Sequence, residues 1–364
     1  MSRPIIPIRP VKGRGAATHI PHRFERDARD EFDDGWGTLH EAADGPPPAA
    51  TATEVIWETA RSAISRNQSP DIAFDQSINP YRGCEHGCIY CYARPTHSYL
   101  GMSPGLDFET RIVAKRNIAE LLRAELARSS YVPRPLALGT VTDGYQPVER
   151  ELRLTRGVLE VLHEARHPVG LVTKSSGVER DLDLLVPMAA ERRAAVYLTI
   201  TTLDAELARV LEPRAAAPHR RLRTVRTLAA AGVPVGVSVG PQIPFLNDDM
   251  EQVLEAAWEA GARSAFYTVL RLPWELSPLF REWLDLHFPQ RAARVMARIR
   301  EMRGGDKDYD ADFATRMTGA GLWAELIRQR FHKATARLGF NRTRIEADLS
   351  AFRPPSLHGQ GALF

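Results

Sequence analysis

The chain reads as an α/β protein built on a parallel sheet, and three observations point there. Between positions 70 and 287, short β-rich runs alternate with longer helical runs. Gly232 and Gly261 each stand between a helical run and the next strand, where a glycine commonly ends a helix. Polar residues, glycines and prolines collect just after each strand run, and in parallel β/α barrels the reactive groups gather in those loops.

Strands are expected at Ile72–Ile78, Leu136–Val141, Val169–Thr173, Ala195–Thr201, Val233–Val239 and Ser264–Leu270. Between and after them, helices are expected at Thr110–Arg128, Glu151–Arg166, Glu179–Glu191, Arg220–Ala231, Asp248–Ala260 and Glu275–Leu286. Leu121, Leu122 and Leu126 have the spacing of one apolar helix face. The loops after the strands carry, in order, the cysteine-rich segment, Thr142–Pro147, Lys174-Ser175-Ser176, Thr199–Thr202, Gly240–Pro244 and Arg271-Leu272-Pro273. All six ends bear hydrogen-bonding groups or exposed backbone, the layout of one pocket facing one ligand.

Two flanks differ from this core. Residues 1–50 are rich in Pro, Gly, Arg and Asp, with a basic start (Arg9, Lys12, Arg14), an acidic run (Asp27 to Asp34) and Pro46–Ala50. Such composition buries little apolar surface, so an extended, mobile tail is expected, with Lys12–Ala16 more simply solvated chain than a contact to phosphate or a partner. Residues 51–287 form the sheet domain. Residues 288–364 form a helical C-terminal extension, with helices at Gln290–Arg303 and Asp312–Leu338.

Of the 364 residues, 44% are hydrophobic, ordinary for a globular core, and no apolar run reaches about 18 residues. A transmembrane helix is not expected. The N-terminus lacks the apolar stretch of a signal peptide, which leads to the expectation of a cytoplasmic protein with reduced thiols. A net charge of +3 is too mild to establish a nucleic-acid partner.

All three cysteines lie in Asn79–Tyr92, at Cys84, Cys88 and Cys91, spaced C-x3-C-x2-C. An odd, clustered set argues against a disulfide framework and for thiolates on one metal centre. An iron–sulfur cubane held by three thiolates keeps one iron open to a small molecule. Zinc with His86 or His97 as fourth ligand is the alternative, although its usual spacing needs a second pair that this chain lacks. Gly83 and Gly87 suit a tight loop whose backbone approaches a cluster closely.

The string Cys84 to Cys91, with aromatic Tyr90 before the last cysteine, resembles the signature of the radical S-adenosylmethionine (SAM) superfamily. Continued through Tyr92-Ala93-Arg94-Pro95-Thr96-His97, it resembles the DNA-repair-photolyase-like branch, related to spore photoproduct lyase. That resemblance implies a partial (β/α)6 TIM-like barrel, a [4Fe–4S] cluster, and SAM chelated to the open iron. It also implies a one-electron reductant of flavodoxin or ferredoxin type, and cleavage of SAM to a 5′-deoxyadenosyl radical that abstracts hydrogen.

The resemblance also suggests the SAM contacts. Thr142 and Asp143 match the second-strand loop that meets the amino group, in a Thr-Asp-Gly form rather than Gly-Gly-Glu. Lys174 is placed to face the SAM carboxylate or ribose, and Thr199 and Thr201 to reach the ribose. Arg214, oriented by Glu212, is expected at the carboxylate; Ile243 and Tyr90 are expected beside adenine. Spore photoproduct lyase has an extra cysteine that returns hydrogen to the product radical. Thr140 occupies the matching position here, and a hydroxyl is a poor hydrogen-atom donor. Tyr92 and Tyr145 are candidate relays, more simply read as packing tyrosines.

The substrate is not legible. Two basic stretches, His219–Arg223 with Arg226, and Arg328, Arg330, His332, Lys333 and Arg337, keep nucleic acid as one class. A peptide or metabolite is the second class, and a non-catalytic metal-binding protein is the third reading.

Overall fold

The computed structural model describes residues 8–25, 52–343 and 346–356. The acidic run Asp27–Asp34 and Pro46–Ala50 lie outside the described residues. The strands in chain order are β1 (Glu54–Glu58), β2 (Ile64–Arg66), β3 (Gln76–Ile78), β4 (Tyr81–Arg82), β5 (Arg111–Lys115), β6 (Leu136–Leu138), β7 (Val169–Thr173), β8 (Ala194–Thr199), β9 (Val235–Ser238) and β10 (Ser264–Phe266).

Seven strands form one sheet in the order β10-β9-β8-β7-β6-β3-β2. From β3 to β10 every neighbouring pair is parallel. These six are the six expected strands, each joined to the next through helix, so the chain builds an open, partial β/α barrel. β3 and β7 end where expected, whereas β6, β8, β9 and β10 end early, at Leu138, Thr199, Ser238 and Phe266, where the residues beyond leave the ladder to form the loops of the site. A parallel sheet covered on its faces needs apolar residues throughout. Val196, Leu198, Val235 and Val237 supply them in β8 and β9, and all are buried. On the outside, helix Leu154–Glu164 buries Thr155, Val158, Leu159 and Leu162, the spacing of one face.

Several elements depart from expectation. The first expected helix, Thr110–Arg128, is instead β5 followed by the shorter helix Ile118–Leu126. β5 carries the β-branched pair Ile112-Val113, and it pairs with β1 and β4 in a separate three-stranded sheet. β2 adds an antiparallel edge to the main sheet. Glu151–Arg166 is broken at Arg153, whose φ is 52°. The last helix begins at Gly321 rather than Asp312. Asp310 and Asp312 accept from the backbone N–H groups of Asp312 (3.1 Å) and Ala314 (2.8 Å), a local alternative to helix.

The C-terminal extension covers the open edge. The Asn341 side chain bonds both the N–H and the C=O of Ala265 in β10, each at 2.9 Å. Helix Gly321–Leu338 is held to helix Met250–Glu259 by Arg330, which is bidentate on Glu251 at 2.7 and 2.6 Å. Farther on, Phe352 packs on Tyr131 and His167, with ring centroids 5.6 and 5.5 Å away.

His97 and His167 are fully buried, and burial lowers each pKa from 6.5 to about 4. Between those values the unfolded chain holds more protons, so stability is complete above pH 6.5 and drains away as pH falls toward 4. Denaturant titration at pH 5 is expected to read about 2 kcal/mol less stability per histidine than at pH 7.5. His167→Gln should remove its share of that difference; an undiminished difference would refute the assignment.

Candidate metal and cofactor site

The cysteine loop leaves the sheet after β3 and is fastened from every side. Gly83 and Gly87 have φ of 81° and 66°, and a Cβ on Gly87 would stand 2.6 Å from the Glu109 carboxylate. Cys84 donates its backbone N–H to Phe108 at 2.9 Å, and Ile89 donates to Leu211 at 3.0 Å. Cys84, Cys88 and Cys91 are free thiols, the first two buried and Cys91 at the rim. Burial pushes the Cys88 thiol up to about 12, against the pull of Lys174, and raises Cys84 as well. To ligate a metal, each would have to give up that proton.

The donor set suits a cubane better than zinc. Among the described residues no three His, Cys, Asp or Glu side chains converge on a single metal-ion position. A cubane asks for something else, since each thiolate takes its own iron. Neither candidate histidine gathers with two of the cysteines among the described residues. His86 Nδ1 lies 3.2 Å from Asp143, and His97 Nε2 lies 3.1 Å from the Arg111 carbonyl oxygen.

A buried clamp, illegible in sequence, holds the loop from behind. Arg94 is fully buried and donates to the carbonyls of Cys88 (2.9 Å), Gly87 (3.0 Å) and Gly105 (3.0 Å). It also pairs with fully buried Glu109. Glu109 in turn accepts from the backbone N–H groups of Gly15 and Ala16, both at 2.9 Å. The segment expected as solvated tail is thus a wall of the site at Arg14–Ala16, and Arg14 donates to the Glu109 carbonyl at 2.7 Å. Gly15 is required there, because a Cβ would sit 1.9 Å from the Gly87 oxygen.

Tyr90, Thr201, Glu212 and Arg221 form one buried network. The Tyr90 hydroxyl and Arg221 both donate to Glu212, and Thr201 donates to it at 2.7 Å. Burial favours the protonated carboxyl, yet Arg221 and Lys174 hold Glu212 down to about 2. The Lys174 ammonium lies 5.7 Å from the Tyr90 ring centre. Burial works against its charge, but Cys88 and Glu212 beside it hold its pKa above the ordinary lysine value. The expected Glu212–Arg214 pairing is corrected: Glu212 takes Arg221, and Arg214 lies 3.1 Å from Glu85. Arg221, expected in a basic surface, is instead buried, donating to the Thr199 carbonyl at 2.9 Å.

The remaining expected contacts also serve the protein's own frame. Thr142 donates to the Gly83 carbonyl at 2.6 Å. Asp143 accepts from Thr173 (2.7 Å), the Lys174 N–H (2.8 Å) and the Tyr145 N–H (2.8 Å). Burial opposes its charge, but His86 and these bonds hold its pKa well below the carboxylate range. Ile243 is buried and packs in one apolar cluster with Cys88, Ile89 and Tyr90. Gln146, unremarked in sequence, donates to Thr142 at 3.0 Å and accepts from the Glu85 N–H at 2.8 Å. Tyr145 points away, donating to Asp181 at 2.9 Å, whereas Tyr92 is exposed and donates to the Thr140 carbonyl.

The basic stretches are largely neutralised. Arg220 is bidentate on Glu179 at 2.7 and 2.8 Å, while Arg328 and Arg337 face Glu325 and Glu255. No described helix is long and apolar enough to cross a membrane.

The structure is thus an open β/α barrel with three cysteines in the loop that follows its first parallel strand. Residues 78–257 match the family model of the radical SAM superfamily. An uncharacterized protein of Mycobacterium tuberculosis H37Rv is 36% identical over 255 residues, 69% of this chain and 73% of the relative. One of Methanocaldococcus jannaschii is 27% identical over 237 residues, 65% and 85% of the two chains. The structure of spore photoproduct lyase complexed with dinucleoside spore photoproduct is similar with a TM-score of 0.52 at 15% identity, covering 79% of this chain and 80% of that one. At that identity the likeness is one of fold. The chain belongs to the radical SAM superfamily of enzymes.

Proposed function

We propose that the protein binds a [4Fe–4S] cluster on Cys84, Cys88 and Cys91 and cleaves SAM beside it. Bound together, the cluster and SAM supply a 5′-deoxyadenosyl radical that abstracts hydrogen from a substrate. The observation that carries this reading is the charge arrangement around Cys88. The Lys174 ammonium lies 5.7 Å from the Tyr90 ring centre, is kept cationic by Cys88 and Glu212 beside it, and makes no ion pair among the described residues. An ammonium held there is suited to a carboxylate. Tyr90 and Ile243 give an apolar wall for a flat base, with the Tyr90 ring fixed by its hydroxyl bond to Glu212. Thr199 and Thr201 are buried beside that wall, within reach of a ribose. Asp143 and Thr142 act at one remove, holding the Lys174 backbone and Gly83. Arg214 secures His86 through its backbone N–H, at 3.2 Å from the His86 carbonyl oxygen.

Lys174→Met is expected to weaken SAM binding by about 10- to 100-fold, the worth of one charge-assisted hydrogen bond. Equilibrium binding to the reconstituted protein measures it, with iron content as the control. Unchanged SAM affinity at full iron content would remove Lys174 from the site.

The substrate faces the open rim where Cys91 and Tyr92 emerge. Arg271 stacks on the Tyr92 ring at 4.7 Å, and neighbouring Arg316 is bidentate on Asp71 at 2.6 and 2.7 Å. With Arg316 paired to Asp71, Arg271 is the cation offered at that rim, and a guanidinium stacked on an aromatic ring suits an anionic substrate such as a nucleotide or nucleic acid. Salt-dependent retention of an oligonucleotide tests it.

A further inference from the structure

We propose that the ion pair between Arg316 and Asp71 is a latch across the open side of the barrel, shut in this structure and opened to admit substrate. The proposal rests on the reading of the Cys91–Tyr92 rim as the substrate's approach. The main sheet does not close on itself, and its two edges are β10 and β2. Residues 304–319 join helix Pro289–Glu301 to helix Gly321–Leu338, and they touch both sides of that gap.

On the β10 side the segment is tied several times. Just beyond β10, the Val269 N–H donates to the Met317 carbonyl at 2.9 Å. Buried Arg303 donates to the carbonyls of Leu270 (2.5 Å), Thr315 (3.1 Å) and Arg316 (3.0 Å). Asp308 accepts from Arg281 of helix Leu276–His287 at 2.6 and 3.0 Å. The other side has one such tie. Asp71 lies between β2 and β3, and its bond with Arg316 is the one ion pair among the described residues that joins 304–319 to 67–75. Parting the two sides there breaks a single pair and leaves the β10 side fastened.

The pair is enclosed and aimed. The Arg316 and Asp71 side chains are only 14% and 10% exposed, so salt screens them less than it would a surface pair. The Phe313 ring centre lies 4.5 Å from the Arg316 guanidinium and backs it. The bonds from Arg316, with Arg271 near by, hold the Asp71 carboxyl below its ordinary pKa. The latch also borders the rim. Arg271, which stacks on Tyr92, donates to the sulfur of Met317, the residue after Arg316, at 2.8 Å. Radical chemistry needs water excluded while it runs and a way in beforehand. A side that is firmly fixed on one edge and held by one pair on the other meets both needs.

The test is alkylation of Cys91 in the cluster-free, full-length protein, read by mass spectrometry with two neutral reagents, bulky pyrene maleimide and small iodoacetamide. Asp71→Asn and Arg316→Gln should each speed the bulky reagent at Cys91 at least about fivefold, and the small one far less. Asp71→Glu, which keeps the carboxylate, should stay within about twofold of the wild-type rate. Unchanged bulky-reagent rates in both neutral variants would overturn the proposal. Equal acceleration of the two reagents, or acceleration at buried Cys84 and Cys88 as large as at Cys91, would overturn it as well, because the whole loop would have loosened rather than one side opened. The labelling needs neither cluster nor SAM, so failure of SAM cleavage would count against the proposed chemistry and not against the latch.

Discussion

Cys88→Ala is expected to lose its cluster and bring 5′-deoxyadenosine formation to background. Cys88 is buried beside Lys174, and no fourth cysteine exists to replace it. Partners that only orient a metal ligand are worth about 10- to 100-fold in metal affinity, so loss of a ligand costs more. Iron analysis after anaerobic reconstitution and product chromatography measure the two effects together. The fold should survive, because alanine removes one sulfur from an apolar cluster with Ile89, Tyr90 and Ile243. Product formed at the wild-type rate by this variant would end the cluster assignment.

Arg94→Ala is expected to cost about 3–5 kcal/mol of stability, the usual penalty for leaving one partner of a buried ion pair alone. Here the damage spreads further than the pair. Glu109 would stay buried without its guanidinium, and the carbonyls of Gly87, Cys88 and Gly105 would lose their donor. Because Glu109 also holds Gly15 and Ala16, the N-terminal wall should loosen with the loop. Denaturant unfolding reads the stability, and proteolysis near Arg14 reads the wall. Glu109→Gln keeps one acceptor oxygen but leaves the Arg94 guanidinium buried without its counter-charge and turns an amide NH2 toward an N–H donor, so a comparable loss is expected. An Arg94→Ala protein as stable as wild type would show that the clamp is not what holds the loop.

The sheet was legible because buried parallel strands are continuous apolar runs with glycines at their borders, as at Gly232 and Gly261. β5 was not, since Ile112-Val113-Ala114 lies directly before a real helix face and shares its apolar character. The candidate ligands stood out from spacing alone, because three thiols in eight residues have few other uses. Their supports did not. Glu109, Arg94 and Arg221 carry charges, and a charged residue in sequence reads as surface unless its partner is known. Arg221 lay hidden in His219–Arg223, and Glu212 was assigned to the nearer Arg214, because sequence distance says nothing about which guanidinium a helix turns inward. Gly15 was the available signal in the N-terminal segment: a second glycine two residues after Gly13 marks backbone that must pass close to something.

The central claim is an open iron on a three-thiolate cluster that takes SAM. Electron paramagnetic resonance of the anaerobically reconstituted, reduced protein tests it most directly, recorded with and without SAM and alongside iron and sulfide analysis. A reduced cubane signal that shifts on adding SAM is the predicted result. A zinc-loaded protein with no cubane signal, or a cubane signal indifferent to SAM, would contradict it.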